Sequence, residues 1–101
     1  MAVTSQCSSD GQELTIRVQG RFDFSTHREF RDAIQNCPRK PQRYVVDLRS
    51  TEYMDSSALG MLLLLREEAG GDSQAVSLRN ANPEIRQVLT ISNFQKMFVL
   101  D

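Results

Sequence analysis

A layered α/β domain is the fold class that this sequence predicts, and three patterns predict it. Residues 13–19 alternate apolar and polar side chains, which is typical of a half-buried strand. Residues 44–48 form a nearly unbroken run of strand-favouring residues, as in a central strand. Between them, the apolar residues of 30–37 have the spacing of an amphipathic helix. Strands that alternate with helices favour right-handed crossovers, with the helices packed on the sheet.

The first half of the chain is predicted to contain a hairpin and one helix. The turn signal at 10–11 precedes the strand at 13–19, so we expect the residues before it to pair back as a short strand. Thr26 and Glu29 have the spacing of a capping box at the start of the helix. Pro38, with a second proline three residues later, ends it. The outer face of the strand at 13–19 is either solvated or a second interface.

The second half is predicted to continue as helix, strand, helix and a short apolar terminus. A helix covers about 55–69, and the glycine pair at 70–71 closes it, because glycine can adopt the left-handed conformation of a helix end. A short strand at 74–78 follows. Asn, Pro and Glu at 82–84 form a good start for a third helix. The apolar residues of 94–99 predict a last strand or short helix at the sheet edge.

Size and charge narrow the classes of function. A chain of 101 residues fits one compact domain, so we expect a single domain over 1–101. Twelve Lys and Arg against 13 Asp and Glu give a formal charge of −1, and we therefore expect no nucleic-acid partner. Apolar stretches fall well short of the ~20 residues that span a bilayer, and the first residues lack a secretory signal. We expect no membrane association and a cytoplasmic location.

Residues that carry metal binding and catalysis are scarce. Cys7 and Cys37 are far apart and form no Cys-x-x-Cys motif, so in a reducing cytosol we expect two small hydrophobic residues rather than a disulfide. His27 is the single histidine, which does not support a zinc site. The sequence contains no glycine-rich phosphate loop and no nucleophile elbow. We expect neither a metal nor a cofactor.

The segment Asp55-Ser56-Ser57 joins a predicted strand to the second helix and contains the main candidate functional residues. Asp and Ser are both favoured helix N-caps, so either Asp55 or Ser56 can serve as the cap without any further role. At 100° per residue, Ser56 and Ser57 lie on the same side of the helix as Gly60, and the glutamates at 67–68 mark that side as solvent. The core side carries Ala58, Leu62, Leu65 and Ala69.

Leu64 departs from this pattern. It lies about 80° from Ser56, in the middle of the polar side, and Met61 lies on the border at about 140°. A neighbouring element can cover Leu64, or Leu64 can belong to a partner surface. Gly60 lies one turn after Ser56 and costs the helix about 1 kcal/mol relative to Ala, and its missing side chain lets another backbone approach. This spacing favours docking of a partner.

Two motifs resemble those of a known family. Gly20-Arg21-Phe22-Asp23 follows one strand, and Asp55-Ser56-Ser57-Ala58-Leu59-Gly60 follows another. Together with the order of elements along nearly the whole chain, they resemble STAS domains, specifically stand-alone anti-sigma factor antagonists. The resemblance implies the STAS fold, a small mixed β-sheet of four to five strands with about three α-helices packed on it. Ala58 stands where many members have Gly. The alanine stiffens the first helical turn and does not change what the resemblance implies.

The same resemblance implies a partner switch. In the family the serine directly after the Asp is phosphorylated, which corresponds to Ser56, with Ser57 as the second choice. The unmodified protein would bind an anti-sigma factor with a GHKL-type serine kinase fold and so free a sigma factor. Phosphorylation would release it, and a PP2C-type serine phosphatase would reset it. The partner-binding residues implied by the family, with Leu64 added from the helical pattern, are Asp23, Asp55, Ser56, Ser57, Gly60 and Leu64.

Three alternatives stay open. A hydrolase with Ser56 as nucleophile and His27 as base would need an orienting acid and an oxyanion hole that the sequence does not identify. A receiver-like phosphoacceptor at Asp47 would need an acidic pair for Mg²⁺, and Asp23 is the one acid near the required position. A fixed adaptor with the same fold would bind its partner without any phosphorylation of Ser56.

Overall fold

The computed structural model describes residues 2–101. Its strands are β1 (Val3–Cys7), β2 (Glu13–Val18), β3 (Gly20–Phe22), β4 (Arg43–Asp47), β5 (Thr51–Met54), β6 (Val76–Arg79) and β7 (Val99–Leu100). Its α-helices are α1 (His27–Ile34), α2 (Ser56–Glu68) and α3 (Pro83–Ile91), and short 3₁₀ helices cover Phe24–Thr26 and Phe94–Lys96. No helix within residues 2–101 is long and apolar enough to cross a bilayer.

A five-stranded mixed sheet organises these elements in the order β1-β2-β4-β6-β7. The first two strands form the predicted antiparallel hairpin, and β4, β6 and β7 then add in parallel, one after another. Every second residue of β2 is fully buried, namely Leu14, Ile16 and Val18. The residues between them are half-buried or exposed, so one face of the sheet carries the core and the other faces solvent. The predicted α/β class, with a mixed sheet and three helices, is confirmed.

A second, two-stranded sheet was not expected as a separate unit. It consists of β3 and β5, which pair in parallel with Phe22 opposite Met54. These strands have only three and four residues, and so short a stretch shows too few alternations to reveal a period of two. The small sheet extends β2 and β4 beyond their carboxyl ends and leads directly into the following helices.

The core lies between the covered face of the large sheet and the helices. Phe22 and Phe30 are buried against each other, with ring centroids 5.3 Å apart. From α2, the buried side chains are Ala58, Met61, Leu62 and Leu65. Met61 is only 3% exposed, although its position on the helix placed it at the border of the solvent side. The buried side of α2 is wider than expected, because the helix packs against both β5 and α1.

The helix boundaries follow from local chemistry that the sequence predicts only in part. Beyond α2, Gly70 and Gly71 both have positive φ, at 96° and 77°, as expected for a helix closed by glycine. The predicted capping box at Thr26 is wrong. Thr26 is buried, and its hydroxyl donates to the carbonyl oxygen of Asp23 at 2.8 Å instead of capping α1. Helix α1 also ends at Ile34, before the prolines that were expected to end it.

The expectation that Cys7 and Cys37 are unpaired is wrong, because a disulfide joins them. Cys7 is the last residue of β1, and α1 packs against that strand, with the Asn36 side-chain amide donating to the Ser5 carbonyl at 3.2 Å. This packing returns the chain to the end of β1 and brings the two Cα atoms to 5.4 Å, within the range of natural disulfides. Spacing along the sequence carries no information about this contact.

Candidate functional site

The register of the small sheet brings two aspartates together. Phe22 lies opposite Met54, and each of these residues is followed directly by an aspartate, Asp23 and Asp55. Neighbouring strands lie about 4.8 Å apart, so the two aspartates lie side by side where the strands end. Each of them is the N-cap of the helix that follows, Phe24–Thr26 in one case and α2 in the other. The two predicted motifs therefore meet at one end of the molecule.

Asp55 is the residue that caps α2. Its Oδ1 accepts hydrogen bonds from the backbone N–H of Ser57 at 3.0 Å and of Ala58 at 3.3 Å. The hydroxyl of Ser56 is therefore not needed for capping, and Ser56 is exposed as the first residue of the helix. Ser57 is half-buried. Of the two serines, Ser56 is therefore the more exposed.

Asp23 is fixed by three donors. Its Oδ1 accepts hydrogen bonds from the backbone N–H of Ser25 at 3.0 Å and from the Ser25 hydroxyl, and its Oδ2 lies 3.2 Å from Nε of Arg21. The Ser25 hydroxyl lowers the pKa of Asp23 most; desolvation opposes this, and Arg21 adds to the lowering. Asp23 is therefore a carboxylate with a fixed orientation beside Asp55.

Arg21 and Tyr53 belong to the same surface, although neither was among the predicted partner-binding residues. They are partners in the register of the small sheet, and the Arg21 guanidinium lies 4.0 Å from the centre of the Tyr53 ring. The alternation of strand residues was a usable signal, because Arg21 is two residues before Asp23 and Tyr53 is two residues before Asp55. All four side chains thus share the outer face of the small sheet.

Leu64 is half exposed, at 50%, on the side of α2 where the helical pattern placed it. It lines a groove of about 370 Å³ between α2 and α1, together with Ile34, His27 and Arg31. Its neighbour Leu63 is also exposed, at 39%. The core therefore does not cover Leu64, and the helix presents an apolar edge to solvent.

Gly60 lies on the same exposed side of α2. Its φ is not positive, and a Cβ added there would meet no atom within 4 Å. Neither the backbone conformation nor a close neighbour within the chain thus requires glycine. The space above Gly60 is open to a partner, as the spacing from Ser56 suggested.

Phe24 is a further exposed apolar residue that the sequence interpretation missed. It directly follows the capping Asp23, is 73% exposed, and stacks on the ring of His27 with centroids 5.6 Å apart. An aromatic residue within a short polar turn was the available signal.

The hydrolase alternative requires His27 as the base beside Ser56 as the nucleophile. In the part of the chain that is described, no hydrogen bond joins these two side chains.

Asp47, the phosphoacceptor of the receiver-like alternative, lies at the end of β4. Its carboxylate accepts from the backbone N–H of Arg49 and from the Asn80 amide, each at 3.0 Å, and lies 3.6 Å from Nε of Arg17. Burial acts to raise the pKa of Asp47, but the Asn80 and Arg49 hydrogen bonds and the nearby arginine charges outweigh it and lower the pKa. Residues 2–101 contain no cluster of three or more metal-ligating side chains.

Comparison with known sequences decides the family. A family model described as "Mlab, STAS domain" matches residues 5–100. The chain belongs to the STAS domain family. A STAS-domain containing protein of Pseudomonas aeruginosa (strain UCBPP-PA14) is 59% identical over 98 residues, which cover 97% of this chain and 97% of that protein.

Solved structures of STAS domains have the same fold. The unphosphorylated form of the anti-sigma factor antagonist SpoIIAA has a TM-score of 0.69 at 21% identity, covering 89% of this chain and 83% of that one. A putative anti-sigma factor antagonist of Thermotoga maritima has a TM-score of 0.78 at 15% identity, covering 96% and 83%. An anti-sigma factor antagonist of Mycobacterium paratuberculosis has a TM-score of 0.70 at 21% identity, covering 97% and 84%. The predicted STAS fold is confirmed.

Proposed function

We propose that this STAS domain is an anti-sigma factor antagonist whose binding to its partner is switched off by phosphorylation of Ser56. The observation that carries the proposal is the exposed Ser56 hydroxyl, which Asp55 leaves free of capping. Three apolar or aromatic side chains are exposed on the elements around this serine: Tyr53 on β5, Leu64 on α2 and Phe24 on the 3₁₀ helix that follows β3. In such an interface, the apolar side chains would contact the partner, and modification of the serine hydroxyl would decide whether the partner stays bound. The shared fold with anti-sigma factor antagonists supports this class of function.

The partner in this proposal is an anti-sigma factor with a GHKL-type serine kinase fold. The unmodified protein binds it, and the sigma factor is released. The kinase then transfers the γ-phosphoryl group of ATP to Oγ of Ser56, which yields phosphoserine, ADP and a proton. A PP2C-type phosphatase adds water to the phosphate ester and restores the hydroxyl with release of inorganic phosphate. The protein itself acts as a protein ligand and not as an enzyme.

Charge explains why one phosphate is sufficient for release. Phosphorylation adds about −1.5 to −2 charge at pH 7, next to Asp55 and close to Asp23. An interface shaped for a neutral hydroxyl buries this charge without a partner, at a penalty of several kcal/mol. Reversing a 99:1 equilibrium requires about 5.5 kcal/mol, which is of the same size. Release therefore needs no large change of fold.

Substitutions at Ser56 test the proposal against a fixed adaptor. Ser56→Ala is expected to bind the kinase like the unmodified protein and to accept no phosphate, whereas Ser56→Asp is expected to bind at least tenfold more weakly. Peptide mass spectrometry after incubation with kinase and ATP should find the phosphate on Ser56. Ser57→Ala is the matched control and should still be modified. Equal affinities of the Ala and Asp variants would favour the fixed adaptor and contradict the switch.

A further inference from the structure

We propose that Arg21 is the internal binding residue for the phosphate on Ser56: the guanidinium leaves Asp23 and pairs with the phosphoserine. This inference deepens the proposed function, because it assumes that Ser56 is the modified residue. It assigns to Arg21 a role that the unmodified protein does not display, and it couples the segment after β3 to the segment after β5.

The position of Arg21 is the first argument. Its guanidinium already contacts both strands of the small sheet, through the Tyr53 ring on β5 at 4.0 Å and through Asp23 beyond β3 at 3.2 Å. Reaching Asp23 brings it forward by two residues, a distance of about 6.6 Å along a strand. Asp55 lies beside Asp23 in the parallel register, and Ser56 follows directly. The guanidinium thus lies on the face of the small sheet that also carries Asp55, one residue before the phosphorylated serine.

The freedom of Arg21 is the second argument. Its side chain is 66% exposed, so it can turn without unpacking the core. Asp23 does not depend on it, because the Ser25 hydroxyl and backbone N–H continue to hold that carboxylate. The ion pair between Arg21 and Asp23 can therefore exchange without disturbing the turn at Phe24–Thr26.

Charge is the third argument. A phosphate dianion attracts a guanidinium more strongly than a single carboxylate does, and it can accept two parallel hydrogen bonds from it. Without a cation, the phosphate would face the carboxylates of Asp55 and Asp23 alone. With Arg21 on the phosphate, the Asp23 carboxylate loses its cation and the outer face of the small sheet becomes more negative. The phosphate would thus change the partner surface at Asp23 as well as at Ser56.

The experiment places phosphoserine at position 56 during translation, by genetic encoding, and follows the phosphate by ³¹P NMR from pH 4 to pH 8. A nearby guanidinium favours the dianion and lowers the second pKa of the phosphate. We expect Arg21→Gln to raise this pKa by about half a unit or more. Arg21→Lys should give an intermediate value, because the charge stays and the paired hydrogen bonds are lost. Arg39→Gln, which removes an exposed arginine from the connection after α1, should leave it unchanged.

An unchanged phosphate pKa in Arg21→Gln would overturn the proposal, as would an equal rise in Arg39→Gln. A second readout is the ¹⁵N signal of Arg21 Nε, which should shift on phosphorylation because Asp23 is replaced as its partner. An unshifted signal would likewise overturn the proposal. Because the phosphoserine is installed without a kinase, the result does not depend on which enzyme modifies Ser56. Failure of the switch itself would instead appear in kinase labelling and partner binding.

Discussion

Two surfaces of this domain differ in composition: one consists of paired charges, and the other exposes apolar side chains. On the open face of the five-stranded sheet, Arg17 lies 3.6 Å from Asp47, and Arg79 lies 3.2 Å from Asp101. A third pair, Arg43 and Glu13, lies two rows away on the same face at 3.4 Å. At the other surface, around the small sheet and α2, Phe24 and Leu64 are exposed. The open sheet face satisfies its charges within the chain, whereas the site surface leaves apolar groups without a cover.

The register explains the order on the open face. Thr4, Arg17, Asp47 and Arg79 lie in one row across four strands, with Asp101 just beyond β7. Charges in this row alternate in sign, which is favourable between directly opposed residues. Such a surface is stable in water and has little to gain from a partner. We therefore expect the outer face of β2 to be solvated and a partner to bind around the small sheet and α2.

The largest change in stability is expected from two neighbouring leucines of α2, one buried and one exposed. Leu65→Ala should lower the free energy of unfolding by about 2–5 kcal/mol, because Leu65 is fully buried and its loss leaves a cavity. Leu64→Ala should change it by less than about 0.5 kcal/mol, because that side chain is half exposed. Urea unfolding followed by circular dichroism measures both values. A loss of similar size in the two variants would place Leu64 in the core and remove it from the docking surface.

Leu64→Asp tests the difference between the two surfaces by its effect on the affinity for the partner. A carboxylate in place of this apolar side chain, in the groove between α1 and α2, should weaken partner binding by about tenfold or more, because a charge loses its water at the interface. The matched control is Thr4→Asp, which adds the same charge to the exposed end of the row on the open sheet face. Calorimetric titration should detect no change for the control. An equal weakening by Thr4→Asp would indicate that the open face also binds the partner.

The disulfide provides a test of intermediate size. Reduction of Cys7–Cys37 should lower the free energy of unfolding by roughly 2–4 kcal/mol, the range for a loop of this length. Cys7 pairs with Leu14 near the start of β2, whereas the site follows the opposite ends of β2 and β4. Partner binding should therefore change by less than about twofold. The Cys7→Ser, Cys37→Ser double variant is the control and should not respond to reductant. A wild-type unfolding midpoint that reductant leaves in place would contradict the structure.

Asp47 is expected to give the smallest effect. Its pKa is lowered in the folded protein by the Asn80 and Arg49 hydrogen bonds and by arginine charges, which outweigh burial. The folded state thus binds this proton less readily than the unfolded state, so Asp47 stabilises the fold above about pH 4 and the contribution fades as the pH falls further. Asp47→Asn should lose about 1 kcal/mol at pH 7 and show a smaller loss of stability between pH 5 and pH 2.

The control for this prediction is Asp32→Asn, on the exposed side of α1, which should keep the acid response of the wild type. If Asp47→Asn and the wild type lose stability in parallel as the pH falls, the alternating row on the open face has no measurable energy. The contrast between the two surfaces would then rest on exposed apolar area alone.

These residues show which features the sequence predicts and which it does not. Local patterns predict the strand β2, the glycine end of α2 and the cap of α3, where the Asn82 side chain accepts from the Ile85 backbone N–H at 2.9 Å, because each depends on neighbours within a few positions. The cap at Asp55 was one of two choices, and the structure decides it through the Ser57 and Ala58 amides. The disulfide and the cation contact between Arg21 and Tyr53 depend on pairing of distant segments. No short window of sequence contains that information.

The exposure of Ser56 and Leu64 on α2 was predicted more completely than that of the turn before α1. Ser56 and Leu64 follow from helical spacing and the family motif, because both lie on one helix. Phe24, by contrast, lies on a 3₁₀ turn whose cap is Asp23, and the capping pattern pointed to Thr26 instead. Its exposure depends on where that turn packs relative to α1, which the sequence does not specify.

The most direct test of the switch is the affinity of the protein for a GHKL-type serine kinase with and without a phosphate on Ser56. Candidate kinases are titrated by calorimetry, one at a time, with unmodified protein and with protein that carries genetically encoded phosphoserine at position 56. We expect the kinase that binds the unmodified protein to bind the phosphorylated form at least about a hundredfold more weakly, a difference of about 2.7 kcal/mol. Dissociation constants that agree within threefold would contradict it.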